Sequence, residues 1–321
     1  MPRPHVPDTV LTAAHERSKA RSARDWALAD RLRGEIEAAG WTIVDRGTDF
    51  ALAPAAPPDV VEGDRVRYGS SQSVPSRLEE PATDLATVVL VATDWPADIE
   101  RALGGLRSSS PPGTSVVVVA DAPSDAQSVA LDGIERADTE VIRTSERLGH
   151  AAALNVGIRR AGGSIVIVLD GSVEPVGDIV TPLAAALADP TVAVVGGFGI
   201  SSADLRTFED APPGDVDAIE GYCQAFRRAD YVAAGPLDER FRFYRNLDIW
   251  WSLVLRDTEG EGTATPRRAV ALADLPLVRH EHRGWSSLPD EERDRQSKRN
   301  FYRIIDRFGS RRDLLVAARD G

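Results

Sequence analysis

From residue 86 onward, apolar runs alternate with amphipathic stretches. Runs of β-branched and aliphatic residues at 87–91, 115–119, 140–142, 165–169 and 192–195 predict strands, and the stretches 97–106, 149–161 and 179–187 predict helices. Such alternation implies βαβ units and an α/β fold whose mostly parallel sheet is flanked by helices. After Gly197 the rhythm is less regular. A charged amphipathic helix is expected over 289–307, with Phe301, Tyr302, Ile304, Ile305 and Phe308 available for packing. The run Ser164-Ile-Val-Ile-Val-Leu-Asp170-Gly-Ser-Val-Glu174-Pro is the most informative. It has no polar alternation, which suits a central strand covered on both faces. It ends on a carboxylate, at the sheet edge where open α/β folds bind ligands.

A different unit precedes this one. Ala14, Arg17, Ala20 and Arg21, then Trp26, Ala29, Leu32 and Ile36, recur at helical spacing. Asp25 is placed to cap the second helix and Gly40 to end it. Residues 41–44 and 49–52 predict a small hairpin around Arg46-Gly47. Residues 55–84, rich in Pro, Ser, Gly and acid, predict a linker with a short strand at 65–68. The expected organisation is therefore a helical hairpin at 1–54, a linker at 55–84 and an α/β domain at 85–321.

Composition narrows the function. With 321 residues, 42% hydrophobic, the chain can bury a sizeable core. A net charge of -12 argues against broad binding to DNA or anionic membranes. Cys223 is the only cysteine, which excludes a disulfide framework and a thiolate zinc cluster. Met1 is followed by Pro-Arg-Pro-His with no apolar core, so no signal peptide is expected, and no apolar run reaches membrane-spanning length. A cytoplasmic protein is the default, and homo-oligomerisation is left open.

Three predicted strand ends carry chemistry: Thr93-Asp94, Asp121-Ala-Pro-Ser-Asp125 and Asp170-Gly-Ser172-Val-Glu174. Parallel strands place these ends on one rim, where the carboxylates would converge on one ligand. Any one Asp alone is more simply a turn or cap residue.

From about residue 86 to 308 the chain resembles the family 2 glycosyltransferases of GT-A fold. The resemblance rests on the strand ending at Asp121, on Ser145-Glu-Arg147-Leu-Gly149-His150-Ala-Ala-Ala-Leu-Asn155-Val-Gly157, on Asp170-Gly-Ser172 and on Phe226-Arg227-Arg228. It continues through Gly235-Pro-Leu-Asp238-Glu239-Arg-Phe241, Asn246-Leu-Asp248 and His280-Glu-His282-Arg-Gly284-Trp285. It implies transfer of a sugar from an NDP-sugar donor to a hydroxyl acceptor, with inversion, assisted by Mg²⁺ or Mn²⁺. Under it Thr93, Asp121, Arg147, Gly149, Asp170, Arg227 and Arg228 would hold the donor. Asp170, Ser172, His280 and His282 would surround the metal, and Asp248 would be the base. The chemistry agrees: a cation offsets charge building on the diphosphate, and the attacking hydroxyl must lose its proton to a carboxylate. Arg147 can pair with phosphate while Gly149 permits close approach. The plainer readings are a cap for Asp248, a solvated face for Arg227 and Arg228, packing for Asn155 and Gly157, and core filling for at least one of Trp250 and Trp251.

The chain departs from the family where Ser172 replaces the last acid of the DxD motif and where Asn246-Leu-Asp248 replaces a Glu-Asp pair. Three outcomes are open: an altered metal site, metal-free transfer, or an adaptor that binds without catalysing. Arg17-Ser-Lys-Ala-Arg21-Ser-Ala-Arg24-Asp25-Trp26-Ala-Leu-Ala29-Asp30-Arg31-Leu32-Arg33, with Glu35, Gly40 and Asp45, resembles the C-terminal tail of cysteinyl-tRNA synthetases. That implies either an RNA- or protein-docking module or a recruited hairpin that only packs or dimerises. Its balanced charges favour the second.

Overall fold

The computed structural model describes residues 6–47, 49–92, 94–134, 138–257 and 266–318. It divides into two compact units, Met1–Asp59 and Val60–Gly321.

The first unit is the predicted helical hairpin and ribbon. Helices α1 (Asp8–Ser22) and α2 (Trp26–Ala38) precede strands β1 (Trp41–Arg46) and β2 (Asp49–Pro54), paired antiparallel with Arg46 opposite Asp49. Asp25 caps α2 by accepting a hydrogen bond from the Leu28 amide at 3.1 Å, and Gly40, with φ +77°, turns the chain out of it. Val10, Ala14, Ile36, Trp41 and Ile43 form a small core. Arg17 closes it with a two-pronged ion pair to Asp45, at 2.7 and 3.2 Å.

The second unit contains, among the described residues, a ten-stranded sheet. Its elements in chain order are β3 (Val60–Glu62), β4 (Arg65–Tyr68), β5 (Asp84–Ala92), α3 (Pro96–Ser109), β6 (Thr114–Ala120), α4 (Asp125–Asp132), β7 (Thr139–Thr144), α5 (His150–Arg159), β8 (Gly163–Leu169), β9 (Val173–Pro175), α6 (Val180–Leu187), β10 (Val192–Gly196), β11 (Gly199–Ser201), β12 (Glu209–Ala211), β13 (Gly214–Val216), β14 (Ala218–Ile219), β15 (Cys223–Arg227), α7 (Arg228–Ala234), α8 (Leu247–Arg256), β16 (Arg268–Ala271), β17 (Leu277–Arg279), α9 (Arg283–Ser286) and α10 (Asp290–Phe308). The sheet order is β13-β16-β10-β15-β8-β5-β6-β7-β4-β3. Its centre, β8-β5-β6-β7-β4, is parallel. The irregular sequence after Gly197 supplies β15, which enters antiparallel between β8 and β10.

Successive strand residues face opposite layers. Val88 and Leu90 pack with Ile99, Leu103 and Leu106 of α3, whereas Val89 packs with Leu154 and Ile158 of α5 on the other face. Gly157 allows that second layer to close: a Cβ there would lie 2.4 Å from a Val89 methyl. The segment 55–84 is more than a linker. Part of it forms β3 and β4, and Arg67 and Tyr68 pair in parallel with Arg143 and Thr144 of β7, so backbone groups at that sheet edge find partners.

Candidate functional site

A cleft of about 950 Å³ opens where β8 ends. Asp170 follows β8 directly, and its amide donates to the Tyr222 carbonyl at 3.1 Å. Both the amide and the hydroxyl of Ser172 donate to Asp170 Oδ1. The short pairing of β9 with β17 sets Val173 opposite Arg279. This returns the chain to the same place more than a hundred residues later, and His282 Nε2 lies 3.4 Å from Asp170 Oδ2.

The His282 ring is fixed from several sides. Its Nδ1 accepts from the Trp285 amide at 3.1 Å. The ring stacks on Tyr244 at 4.4 Å between centroids and meets the edge of Tyr222 at 6.4 Å. Burial alone would lower the His282 pKa, but the hydrogen bond and charge of Asp170 outweigh it and the value is raised. Burial likewise works against the Asp170 anion, and His282 and Ser172 overcome it, leaving that pKa lowered. Each group thus shifts the other: the hydrogen bond between them favours the Asp170 anion and a proton on His282 Nε2. Beside them His150 is pushed down to about 4, chiefly by desolvation, so its imidazole is neutral at pH 7.

The start of α8, the turn before β15 and α9 also contribute to the cleft. Asp248, Glu220, Tyr222, Arg245 and Trp285 line it. Asp248 Oδ2 accepts from the Gly221 amide at 2.8 Å, and Oδ1 from the Ile249 amide at 2.9 Å. Desolvation leads the causes that raise the Asp248 pKa. Glu220 is pushed up to about 7, first by desolvation and then by the charge of Asp248.

The predicted residues thus separate. Asp170, His282 and Asp248 line one cleft. Asp121 stands at the end of β6 and its carboxylate holds the loop entering α5, accepting from the amides of Leu148 at 2.7 Å and Gly149 at 3.0 Å and from Thr144. Arg147 pairs with Asp94 at 3.2 Å. Gly149, with φ +100°, is the last residue before α5; a Cβ there would come within 3.0 Å of the Arg242 backbone. Its successor His150 lines the cleft, so this loop reaches the site. Thr93 lies outside the described residues.

Three expected ligands are turned elsewhere. Arg227 donates to the carbonyls of Leu187, Asp189 and Val192, which satisfies the end of α6 rather than a ligand. Arg228, buried, donates to the carbonyls of Arg77, Glu80 and Ala161. His280 is directed to Glu174, with Nε2–Oε2 of 2.8 Å. Residues on alternate positions share a face only in a continuing strand, and β17 stops at Arg279. Trp250 and Trp251 are both core residues, 6% and 1% exposed. Glu220, Tyr222, Tyr244 and Arg245 were not singled out from sequence. Glu220-Gly221 just ahead of the buried run 223–227 is a common turn pattern, and 244–245 carries no signal of its own.

The donor set for a metal is small. Among the described residues no group of three or more His, Cys, Asp or Glu is arranged to hold an ion. Ser172 is buried and directs its hydroxyl at Asp170. What remains is the Asp170–His282 pair. One carboxylate and one imidazole fit the way Mg²⁺ and Mn²⁺ are held at phosphate sites, where substrate oxygens and water complete the shell.

Residues 87–234, just under half the chain, match the family described as Glycosyl transferase family 2. The fold aligns with a crystal structure of GalNAc-T7 with UDP, GalNAc and Mn²⁺ at a TM-score of 0.56 and 16% identity, over 69% of this chain and 48% of that one. A mannosyltransferase, PcManGT from Pyrobaculum calidifontis, in complex with GDP-Man and Mn²⁺, aligns at a TM-score of 0.48 and 23% identity over 68% of this chain and 64% of that one. A 54-residue stretch is 46% identical to a cysteine–tRNA ligase of Opitutus terrae, covering 17% of this chain and 12% of the ligase. The chain thus spans about an eighth of that ligase and about half of GalNAc-T7. No helix among the described residues is long and apolar enough to cross a membrane. The fold is the GT-A fold, and its segment 87–234 is similar to family 2 glycosyl transferases.

Proposed function

We propose that the chain is a glycosyltransferase that moves a sugar from a nucleoside diphosphate sugar to a hydroxyl acceptor, with inversion by one in-line displacement. The observation that carries this reading is the cleft itself. A hydrogen-bonded Asp170–His282 pair stands at the carboxyl end of β8, and Asp248 and Glu220 line the same cleft. The resemblance of 87–234 and the Mn²⁺ and UDP held by GalNAc-T7 support it.

In this reading the donor lies along the carboxyl ends of β8, β5 and β6. Asp121 shapes the loop 144–149 beside it, and Arg147, exposed and paired with Asp94, would turn to phosphate. Asp170 and His282 would hold a divalent cation, which when bound neutralises charge on the departing diphosphate. Tyr244 and Tyr222 keep the His282 ring aligned. The acceptor enters along the Asp248–Glu220 wall, and a carboxylate there takes its proton as it attacks. Inversion is the stereochemical outcome of such a single in-line displacement.

The test is calorimetric titration of the full chain with UDP, GDP and dTDP, with and without Mn²⁺. One of these is expected to bind, more tightly with Mn²⁺, and Asp170→Asn is expected to lose the metal-dependent part. Absence of nucleotide binding under both conditions would sink this reading and favour an adaptor.

A further inference from the structure

Of the carboxylates lining the cleft, Asp248 and Glu220 are held differently. Asp248 is fully engaged: one oxygen accepts from the Gly221 amide at 2.8 Å, the other from the Ile249 amide at 2.9 Å. The Gly221 amide belongs to the peptide unit joining Glu220 to Gly221, so Asp248 grips the backbone that carries Glu220. The rest of that turn is held from the same helix. Ser252 accepts from the Ile219 amide at 3.1 Å, and Gln224 Nε2 donates to Ser252, to the Ile219 carbonyl and to the Asp248 carbonyl. The Glu220 amide donates to the Phe198 carbonyl at 2.8 Å.

The Glu220 side chain is the one group of this turn left without such partners. Among the described residues its carboxylate accepts no hydrogen bond, and its nearest cation is Arg279 at 3.8 Å. Arg279 is itself held over the rings of Phe198 and Tyr222, at 4.8 and 5.0 Å from their centroids. A backbone held by these bonds thus presents to the cavity a carboxylate that accepts no hydrogen bond among the described residues.

We infer that Glu220 is the catalytic base of the transfer and that Asp248 is a positioning residue that holds the 219–221 turn. This rests on the glycosyltransferase reading and deepens it. In the step, a bond forms between the acceptor oxygen and the anomeric carbon while the bond from that carbon to the diphosphate oxygen breaks. The electron pair leaves with the diphosphate, and the acceptor proton passes to the Glu220 carboxylate. The surroundings suit the role. Desolvation, Asp248 and Asp210 push Glu220 up to about 7, against the opposing pull of Arg279 and Arg245, and the Tyr222 phenol beside it is neutral with its own pKa raised by burial. A base is most effective when its pKa lies near the working pH. Asp248, in contrast, would have to give up backbone hydrogen bonds as it became protonated.

The experiment measures nucleotide release from UDP-, GDP- and dTDP-sugars with Mn²⁺, water serving as acceptor, across pH 5 to 9, for the full chain and for Glu220→Gln and Asp248→Asn. The full chain is expected to show a rate rising through an apparent pKa near 7. Glu220→Gln is expected to lose that rise and about a hundredfold or more in turnover, with nucleotide affinity within about twofold. Asp248→Asn is expected to keep a rise, moved to lower pH because a neighbouring negative charge is gone. A Glu220→Gln chain that retains the rise overturns the proposal, as does an Asp248→Asn chain that abolishes it while Glu220→Gln does not. Independently of turnover, carbon-13 NMR of the side-chain carboxyls, assigned by loss in Glu220→Gln, should show Glu220 titrating well above the usual carboxylate range. A Glu220 signal titrating near 4.5 overturns the proposal even if no sugar nucleotide is hydrolysed. Failure of nucleotide binding fails the glycosyltransferase reading instead, so the two are told apart.

Discussion

At the scale of single residues, the site combines groups whose environments oppose their charges. Glu220 is the clearest case, because burial raises its carboxyl from 4.5 to about 7. The folded chain therefore holds a proton there that the unfolded chain has released between those values. Stability from this residue is full below about pH 4.5 and is lost as pH rises toward 7. Glu220→Gln should accordingly raise the thermal midpoint at pH 8 and leave it unchanged at pH 4. The gain is at most about 3 kcal/mol, from the size of the shift, less what cleft water screens. A variant no more stable at pH 8 than the parent would show that the carboxylate is well solvated. Asp170 was legible in the sequence because a carboxylate ending an apolar run is conspicuous. Glu220 was not, since its significance comes from Asp248 gripping the next amide, a contact 27 residues away.

Secondary elements deliver these residues, and α8 does the most. Its N-terminal turn carries Asp248, its middle supplies Ser252 to the 219–221 turn, and its last residue, Arg256, is wholly buried. Arg256 donates to the Arg267 carbonyl at 3.0 Å and to the carbonyls of Asp217 and Leu314. It thereby fastens the helix to β16, to the end of β13 and to the C-terminal segment. Arg256→Met keeps the volume but removes those donors. A loss of about 3 kcal/mol or more is expected in urea unfolding, since buried carbonyls left unpaired pay their desolvation in full. A loss under about 1 kcal/mol would mean that water replaces the guanidinium. The helical period of 247–256 is visible in the sequence, but its apolar residues surround it on every side. The pattern therefore announces burial without saying which neighbours are bound. Arg227 and Arg228 teach the same lesson: adjacent arginines suggest phosphate, yet both are directed at carbonyls.

At the scale of the whole molecule, the chain is two units with separate cores, Met1–Asp59 and Val60–Gly321. The groups invoked for donor and acceptor all belong to the second. A chain lacking residues 1–59 should therefore bind nucleotide with an affinity within about threefold of the parent, measured by the same titration. A larger loss would give the first unit a part in the site. Local sequence was enough to determine the α/β alternation, the helical hairpin at the N-terminus and the strand that ends on Asp170, because periodicity and turn chemistry act over a few residues. Tertiary structure alone decided that β15 enters antiparallel beside β8, that β17 brings His282 but not His280 to Asp170, and that Asp248 takes the backbone hydrogen bonds of the turn that carries Glu220. Those outcomes depend on backbone pairing between segments far apart in the chain, and no local pattern encodes which distant amide or carboxylate a side chain will meet.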